Sequence, residues 1–170
     1  QRRGGRGKAA TQVHEEDFVE HMLVANSHDT ILCFTNLGKV YWQKVYQFPQ
    51  GTRTSRGRPI VNLLPLAEDE HVTTLLPIRD FSAGGFVFMA TANGTVKKTP
   101  LEQFSRPRSV GLIAIELEPG NTLVRVAVTD GTRDVMLISS SGKGLRFKES
   151  DVRAMGRTAR GVRGMRLTGE

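Results

Sequence analysis

The side chains that could do chemistry in this chain are mostly cations, and they come in bunches. Arg2, Arg3, Arg6 and Lys8 are followed by Glu15, Glu16, Asp17 and Glu20; Arg53, Arg56 and Arg58 by Glu68, Asp69 and Glu70; Arg106 and Arg108 by Glu116 and Glu118. A fourth stretch, Lys143 to Arg166, holds eight basic residues against Glu149 and Asp151. Lysines and arginines grouped this way gain affinity for a polyanion by releasing its counterions, not by reading bases. Groupings that would signal bond chemistry are poor by comparison. Gly7-Lys8 lacks both the preceding glycine and the following hydroxyl residue of a phosphate loop. Ser140 to Lys143 matches Ser-x-x-Lys only inside a Ser-rich turn. His14, His21 and His28 are evenly spaced, yet have no cysteine or paired carboxylates to complete a metal site, and read as surface or packing residues. No catalytic residue, metal or cofactor is expected.

Composition narrows the class. In 170 residues, 24 Lys and Arg against 17 Asp and Glu leave a net charge of +7. A chain of this length buries a core without staples. One cysteine excludes a disulfide framework, and Cys33, within the apolar run Ile31-Leu32-Cys33-Phe34, reads as a small buried hydrophobe in a reducing, cytoplasmic setting. No window of 18 apolar residues occurs, and the Arg-Gly-rich start has no apolar run behind it. Membrane spanning and secretion are not expected.

The elements that would position the basic bunches repeat. Thr35-Asn36-Leu37-Gly38, Thr91-Ala92-Asn93-Gly94 and Ser139-Ser140-Ser141-Gly142 each open with a hydroxyl residue three before a glycine, and the glycines are 56 and 48 residues apart. A second motif follows 17 to 19 residues later: Gly57, Gly111 and Gly161 each lead, at offsets of four and six, through Val61 to Leu63, Ile115 to Leu117, and Met165 to Leu167. That step of two is strand periodicity. Fifty residues before Gly57 lies Gly7, which marks the opening bunch as another copy of the loop.

Four strands are predicted in the clearest repeat: Gly111 to Leu117, Leu123 to Thr129, Asp134 to Ser140 and Gly144 to Lys148. The preceding repeat offers Ile60 to Leu64, Thr73 to Ile78, Phe86 to Thr91 and Thr95 to Thr99 in the same order. Glu15 to Val24 is the nearest approach to a helix and is left as a helical turn or a strand approach. The expected fold is all-β, an array of four-stranded blades. Equivalent loops of successive blades would align the basic bunches at Gly7, Gly57, Gly111 and Gly161 into one curved positive stripe, suited to duplex DNA. Met89, Met136, Met155 and Met165 read as core filler. Of Tyr41 and Trp42, one should pack and the other face solvent.

The heptapeptide Gln1-Arg2-Arg3-Gly4-Gly5-Arg6-Gly7 resembles the seven-residue box that marks the C-terminal domain of the DNA gyrase A protein. It differs from the common family form only by Arg6 where Lys is usual. Asn36 to Trp42, Lys97-Lys98-Thr99-Pro100-Leu101 and Phe147 to Arg157 look like the same family. Related topoisomerase IV proteins share the blades but have a degenerate box or none, so an intact box favours gyrase. The resemblance implies a β-pinwheel, a disc of blades that exchange strands with their neighbours and wrap DNA around a basic rim without bond chemistry of their own. It also implies that neither tyrosine is the DNA-cleaving nucleophile, which in this family lies outside the matching region. Implied partners are double-stranded DNA, the rest of gyrase A, and gyrase B in a heterotetramer that supercoils DNA at the expense of ATP.

Three repeats, near 8–57, 58–111 and 112–161, with 162–170 opening the next, correspond to about half of the family's usual six-bladed disc, so the chain reads as a fragment or as the ordered part of a longer chain. Expected DNA contacts are the box with Lys8, the loop residues Arg53, Arg56, Arg58, Arg106 and Arg108, the strand pairs Lys97 with Lys98 and Arg146 with Lys148, and Arg157, Arg160 and Arg163. Bland readings stand beside these. An Arg-Gly-Gly run is often a disordered nucleic-acid tail, a charged strand pair is often only a solvated face, and a propeller-like module with basic loops could bind an acidic protein segment.

Overall fold

Three β-hairpins with the same turn carry the computed structural model, which describes residues 19–167. They are β1 (Thr30–Thr35) with β2 (Lys39–Lys44), β4 (Phe86–Thr91) with β5 (Thr95–Pro100), and β8 (Asp134–Ile138) with β9 (Gly144–Lys148). Gly38, Gly94 and Gly142 occupy the turns at φ of 78°, 89° and 83°, a region open to glycine and strained for other residues. Each glycine N–H donates to the carbonyl of the hydroxyl residue three before it: Thr35 at 3.0 Å, Thr91 at 3.1 Å and Ser139 at 2.9 Å. The repeated triplet is thus a repeated turn. A short 3-10 turn follows each hairpin, at Val45–Gln47, Leu101–Phe104 and Glu149–Asp151.

Around each of the first two hairpins later segments complete a sheet in the same way. β3 (Val72–Ile78) pairs with β1, and β7 (Leu123–Thr129) pairs with β4, each with an irregularity just before Thr35 or Thr91. On the far side, β6 (Leu112–Ile113) pairs with β2 and β10 (Val162–Arg163) with β5. The resulting orders are β3-β1-β2-β6 and β7-β4-β5-β10, both antiparallel, with β8-β9 as a two-stranded sheet. All-β architecture follows as expected. The four strands foreseen in the clearest repeat, however, do not form one blade: β6 joins the first sheet, β7 the second, and β8 and β9 make the third.

Central strands alternate between two interfaces. Leu32 and Phe34 of β1, with Val40, pack against Val87, Met89, Leu123 and Val126 of the second sheet. Ile31 and Cys33 point the other way, onto Tyr41, Leu64 and Val72. Phe88 and Val96 then cover Val135, Leu137 and Phe147 of the third hairpin. Both faces of β1 are therefore buried, and its residues read as a continuous apolar run instead of an alternation. Cys33 is completely buried, as expected, and burial pushes its thiol up to about 12.

Several expectations need correction. Ile60 to Leu64 is a 3-10 turn at Ile60–Asn62 and not a strand; its counterparts β6 and β10 become strands by pairing beside the turns at Gly38 and Gly94, and no hairpin edge among the described residues pairs with it. Residues 19–24 carry no regular structure, and 1–18 lie outside the described residues. Met89 is core, but Met136 is 66% exposed, on a hairpin that no third strand flanks among the described residues.

Candidate nucleic-acid interface

Each basic loop occupies the same place in the chain path, after a hairpin and its 3-10 turn and before a glycine with positive φ. The glycines are Gly57, Gly111 and Gly161, at φ of 77°, 76° and 96°. The backbone after two of them is clipped to the turn of the hairpin one repeat earlier. Ala114 and Ile115 donate N–H to the Gly38 carbonyl at 2.8 and 3.2 Å; Gly164 and Met165 do the same to Gly94 at 2.8 and 3.0 Å. A turn carbonyl taking two donors fixes where the loop ends. The hairpin thereby positions the basic loop of the following repeat.

Arg53, Arg56 and Arg58 in the first loop, Arg106 and Arg108 in the second, and Arg160 and Arg163 in the third are exposed, while Arg157 is half-buried. Arg146 and Lys148 on β9 are exposed. Arg153, also exposed, belongs to the third loop and was not among the expected contacts, although its place between a 3-10 turn and a loop glycine matches that of Arg53. Arg160 lies 3.4 Å from Glu116, a loose pair between exposed side chains. The box Gln1 to Gly7, with Lys8, lies outside the described residues.

Lys97 and Lys98 are corrections. Their charge suggested a solvated strand face, yet both faces of β5 are covered and the two are 0% and 6% exposed. Lys97 Nζ donates to four main-chain carbonyls: Ala114 at 2.6 Å, Arg157 at 2.6 Å, Gly156 at 2.9 Å and Ala159 at 3.2 Å. Burial, and then the guanidinium of Arg157, lower its pKa from 10.5 to about 7, against carbonyl oxygens that favour the charged form. Lys98 Nζ donates to the Glu149 carbonyl at 3.2 Å and lies 4.6 Å from the centre of the Phe86 ring. Both ammoniums are buried and engaged with main-chain carbonyls of the protein itself.

The aromatic pair is also accounted for internally. Tyr41 is buried and donates its hydroxyl to Glu70 at 3.0 Å; burial, then Glu70, push the phenol up to about 12. Glu70 further accepts from the Thr35 hydroxyl at 2.7 Å and the Ala67 N–H at 3.1 Å. One acid of the basic–acidic alternation is therefore a structural tie. Trp42 is half-buried, with its indole N–H donated to the Phe104 carbonyl at 2.8 Å, so it is no free stacking platform. Among the described residues no cluster of three His, Cys, Asp or Glu is placed to hold a metal, and no helix is long and apolar enough to cross a membrane.

Comparison with known proteins returns one family model, described as DNA gyrase C-terminal domain, beta-propeller, matching residues 1–26, 29–79, 85–130 and 133–170. The second, third and fourth stretches begin at successive hairpins, so the family's unit is the same period cut at a different point. The DNA gyrase A protein of Klebsiella oxytoca is 61% identical over 170 residues, all of this chain and 19% of that protein. The DNA gyrase A protein of Escherichia coli K12 is 59% identical over 167 residues, 98% of this chain and 19% of that protein. The chain thus spans about a fifth of the length of these curated relatives. Among solved structures, the C-terminal domain of DNA topoisomerase IV superposes with a TM-score of 0.77 at 35% identity, covering 84% of this chain and 44% of that one. A DNA gyrase A C-terminal domain superposes at 0.69 and 24% identity, covering 84% and 45%, a likeness of fold.

Proposed function

The chain belongs to the DNA gyrase C-terminal domain family, and from that premise we propose that it is a non-catalytic module of gyrase A that binds duplex DNA and bends it around a basic rim. The observation that carries this reading is positional. Exposed arginines recur at one place in successive repeats, and the backbone after the second and third loops is bonded to the hairpin turn of the repeat before. Cations at a regular spacing on a fixed frame can follow the phosphates of a curved path. Identity of about three-fifths with gyrase A proteins, together with the box Gln1 to Gly7, favours gyrase over topoisomerase IV.

In this reading the wrapped duplex gives a crossover of defined sign to the catalytic parts of a cytoplasmic holoenzyme built from gyrase A and gyrase B, which introduces negative supercoils. Bending a site of 20–30 bp by 40–90° costs roughly 1–6 kcal/mol, so the path must be held at its ends. The box, with Arg2, Arg3 and Arg6 on a glycine-rich backbone, is the proposed clamp. Replacing Gln1 to Gly7 by alanines in the native gyrase A protein should leave substantial binding to linear duplex yet abolish the linking-number change trapped when a nicked circle is sealed. Retention of the full change would place the clamp elsewhere. Binding of an acidic peptide in preference to duplex at equal salt would instead identify a protein-interaction module.

A further inference from the structure

Lys97 places a charge where the equivalent residue of the preceding hairpin is an aromatic ring. Tyr41 and Lys97 both stand three residues after their turn glycines, and both are buried. Among the described residues no carboxylate forms an ion pair with Lys97. An ammonium without a counter-charge is a costly way to fill an interior site that an apolar or phenolic side chain can fill. What it gains is a junction. Ala114 lies just past the exit of the second basic loop, whereas Gly156, Arg157 and Ala159 form the body of the third. The Ala159 carbonyl also receives the Glu116 N–H at 3.3 Å, which joins the same two segments a second time. Three protons distributed over four carbonyls hold two consecutive rim segments to one point.

We infer that Lys97 is a positioning residue for duplex binding: its ammonium locks the 156–159 loop to the segment at Ala114, so that Arg157, Arg160 and Arg163 meet phosphates in fixed register with the second loop. This rests on the DNA-binding reading above. Lys97 itself never touches the nucleic acid, and its removal should look like the loss of several surface arginines.

The test uses K97M, which keeps the length of the stem and removes the donors. Without DNA, tryptic cleavage after Arg157 and Arg160 should rise by about tenfold relative to cleavage after Arg53 and Arg56, as expected for a locally opened loop. With duplex, the slope of log affinity against log salt should flatten by about two, the equivalent of two lost phosphate contacts. In K97A, n-propylammonium, which supplies the missing carbons and the charge, should restore both readouts, while tetramethylammonium at equal ionic strength should not. Should the variants fail to fold, the wild-type chain labelled with ¹⁵N-lysine and ¹³C-carbonyl decides: an ammonium resonance protected from solvent exchange and coupled through its hydrogen bonds to the carbonyl carbon of Ala114 or Arg157 is expected, which separates Lys97 from the buried Lys98, and its absence overturns the lock. Unchanged cleavage and slope in folded K97M also overturn it. Faster cleavage with a wild-type chain that shows no salt-dependent duplex binding would instead sink the DNA-binding reading and leave the loop lock standing.

Discussion

The hairpins β1-β2 and β4-β5 share a turn, an irregularity before it, a 3-10 turn after it and a later segment clipped to the turn carbonyl, yet they differ in what fills the site beside the basic loop of the following repeat. Under Gly111 the filler is the Tyr41 ring, so close that a Cβ on Gly111 would lie 2.6 Å from it, with the phenol tied to Glu70. Beside the third loop it is Lys97, whose ammonium is spent on main-chain carbonyls. The backbone wiring is the constant and the filler is the variable. A side chain can change from aromatic to cationic there provided that it fills the space and leaves the polar groups satisfied.

The comparison breaks most severely at the turn glycines. A Cβ at Gly94 would fall on the Met165 carbonyl oxygen, and one at Gly38 would lie 2.6 Å from the Ile115 carbonyl oxygen, whereas Gly142 faces open space at a similar φ. G38A and G94A should therefore unfold the chain or lower its thermal midpoint sharply. G142A should cost only the left-handed backbone strain, about 1–2 kcal/mol. Equal losses at all three would show that the clips do not hold the fold.

Removing the phenol should have the next largest effect. Y41F loses a hydrogen bond to a buried carboxylate, about 1.5–3 kcal/mol, read from urea unfolding. The two fillers should also titrate with opposite signs. The Tyr41 phenol is raised from 10 to about 12 in the fold, so its contribution is complete below pH 10 and is lost as pH rises towards 12. Lys97 is lowered from 10.5 to about 7, so burying its ammonium costs nothing above pH 10.5 and costs stability progressively as pH falls towards 7, the penalty against which its carbonyl junction is held. Thermal midpoints against pH should show the alkaline fall become shallower between pH 10 and 12 in Y41F, and the rise disappear in K97M. The Cys33 thiol adds a fall of its own from pH 9.

The smallest effects on stability belong to the rim. Neutralising Arg53, Arg56 and Arg58 together should leave the unfolding midpoint within about 0.5 kcal/mol per site, since all three are exposed, while reducing the salt slope of duplex binding by about one per lost contact and equally for all sequences. E116Q releases Arg160 from a loose exposed pair. It should change stability by under about 1 kcal/mol and tighten duplex binding modestly in a filter or anisotropy assay.

Much of this was legible in the chain itself. A hydroxyl residue three before a glycine specifies a turn whose glycine N–H closes on that residue, which is local chemistry and needs no partner. Strand limits near β7, β8 and β9 follow from alternation bounded by Asp, Gly and Ser. The exposed loop arginines are visible because runs of Arg with Gly and Pro cannot be buried. Lys97 and Lys98 misled for a definite reason. Adjacent strand residues face opposite sides, and a charged pair reads as solvated until both sides are known to be covered by neighbouring sheets.

The sequence by itself determined the period, the three turns, the all-β character and the distribution of positive charge, because each depends on residues close together in the chain. The tertiary structure alone decided which strands share a sheet, that β6 and β10 return to earlier hairpins, and that Glu70 and Lys97 lie inside. Strand pairing is made by main-chain N–H and C=O groups that every residue carries, so no side-chain pattern records the partner. The fate of a charged side chain depends likewise on what packs above it, which is settled only when distant segments meet.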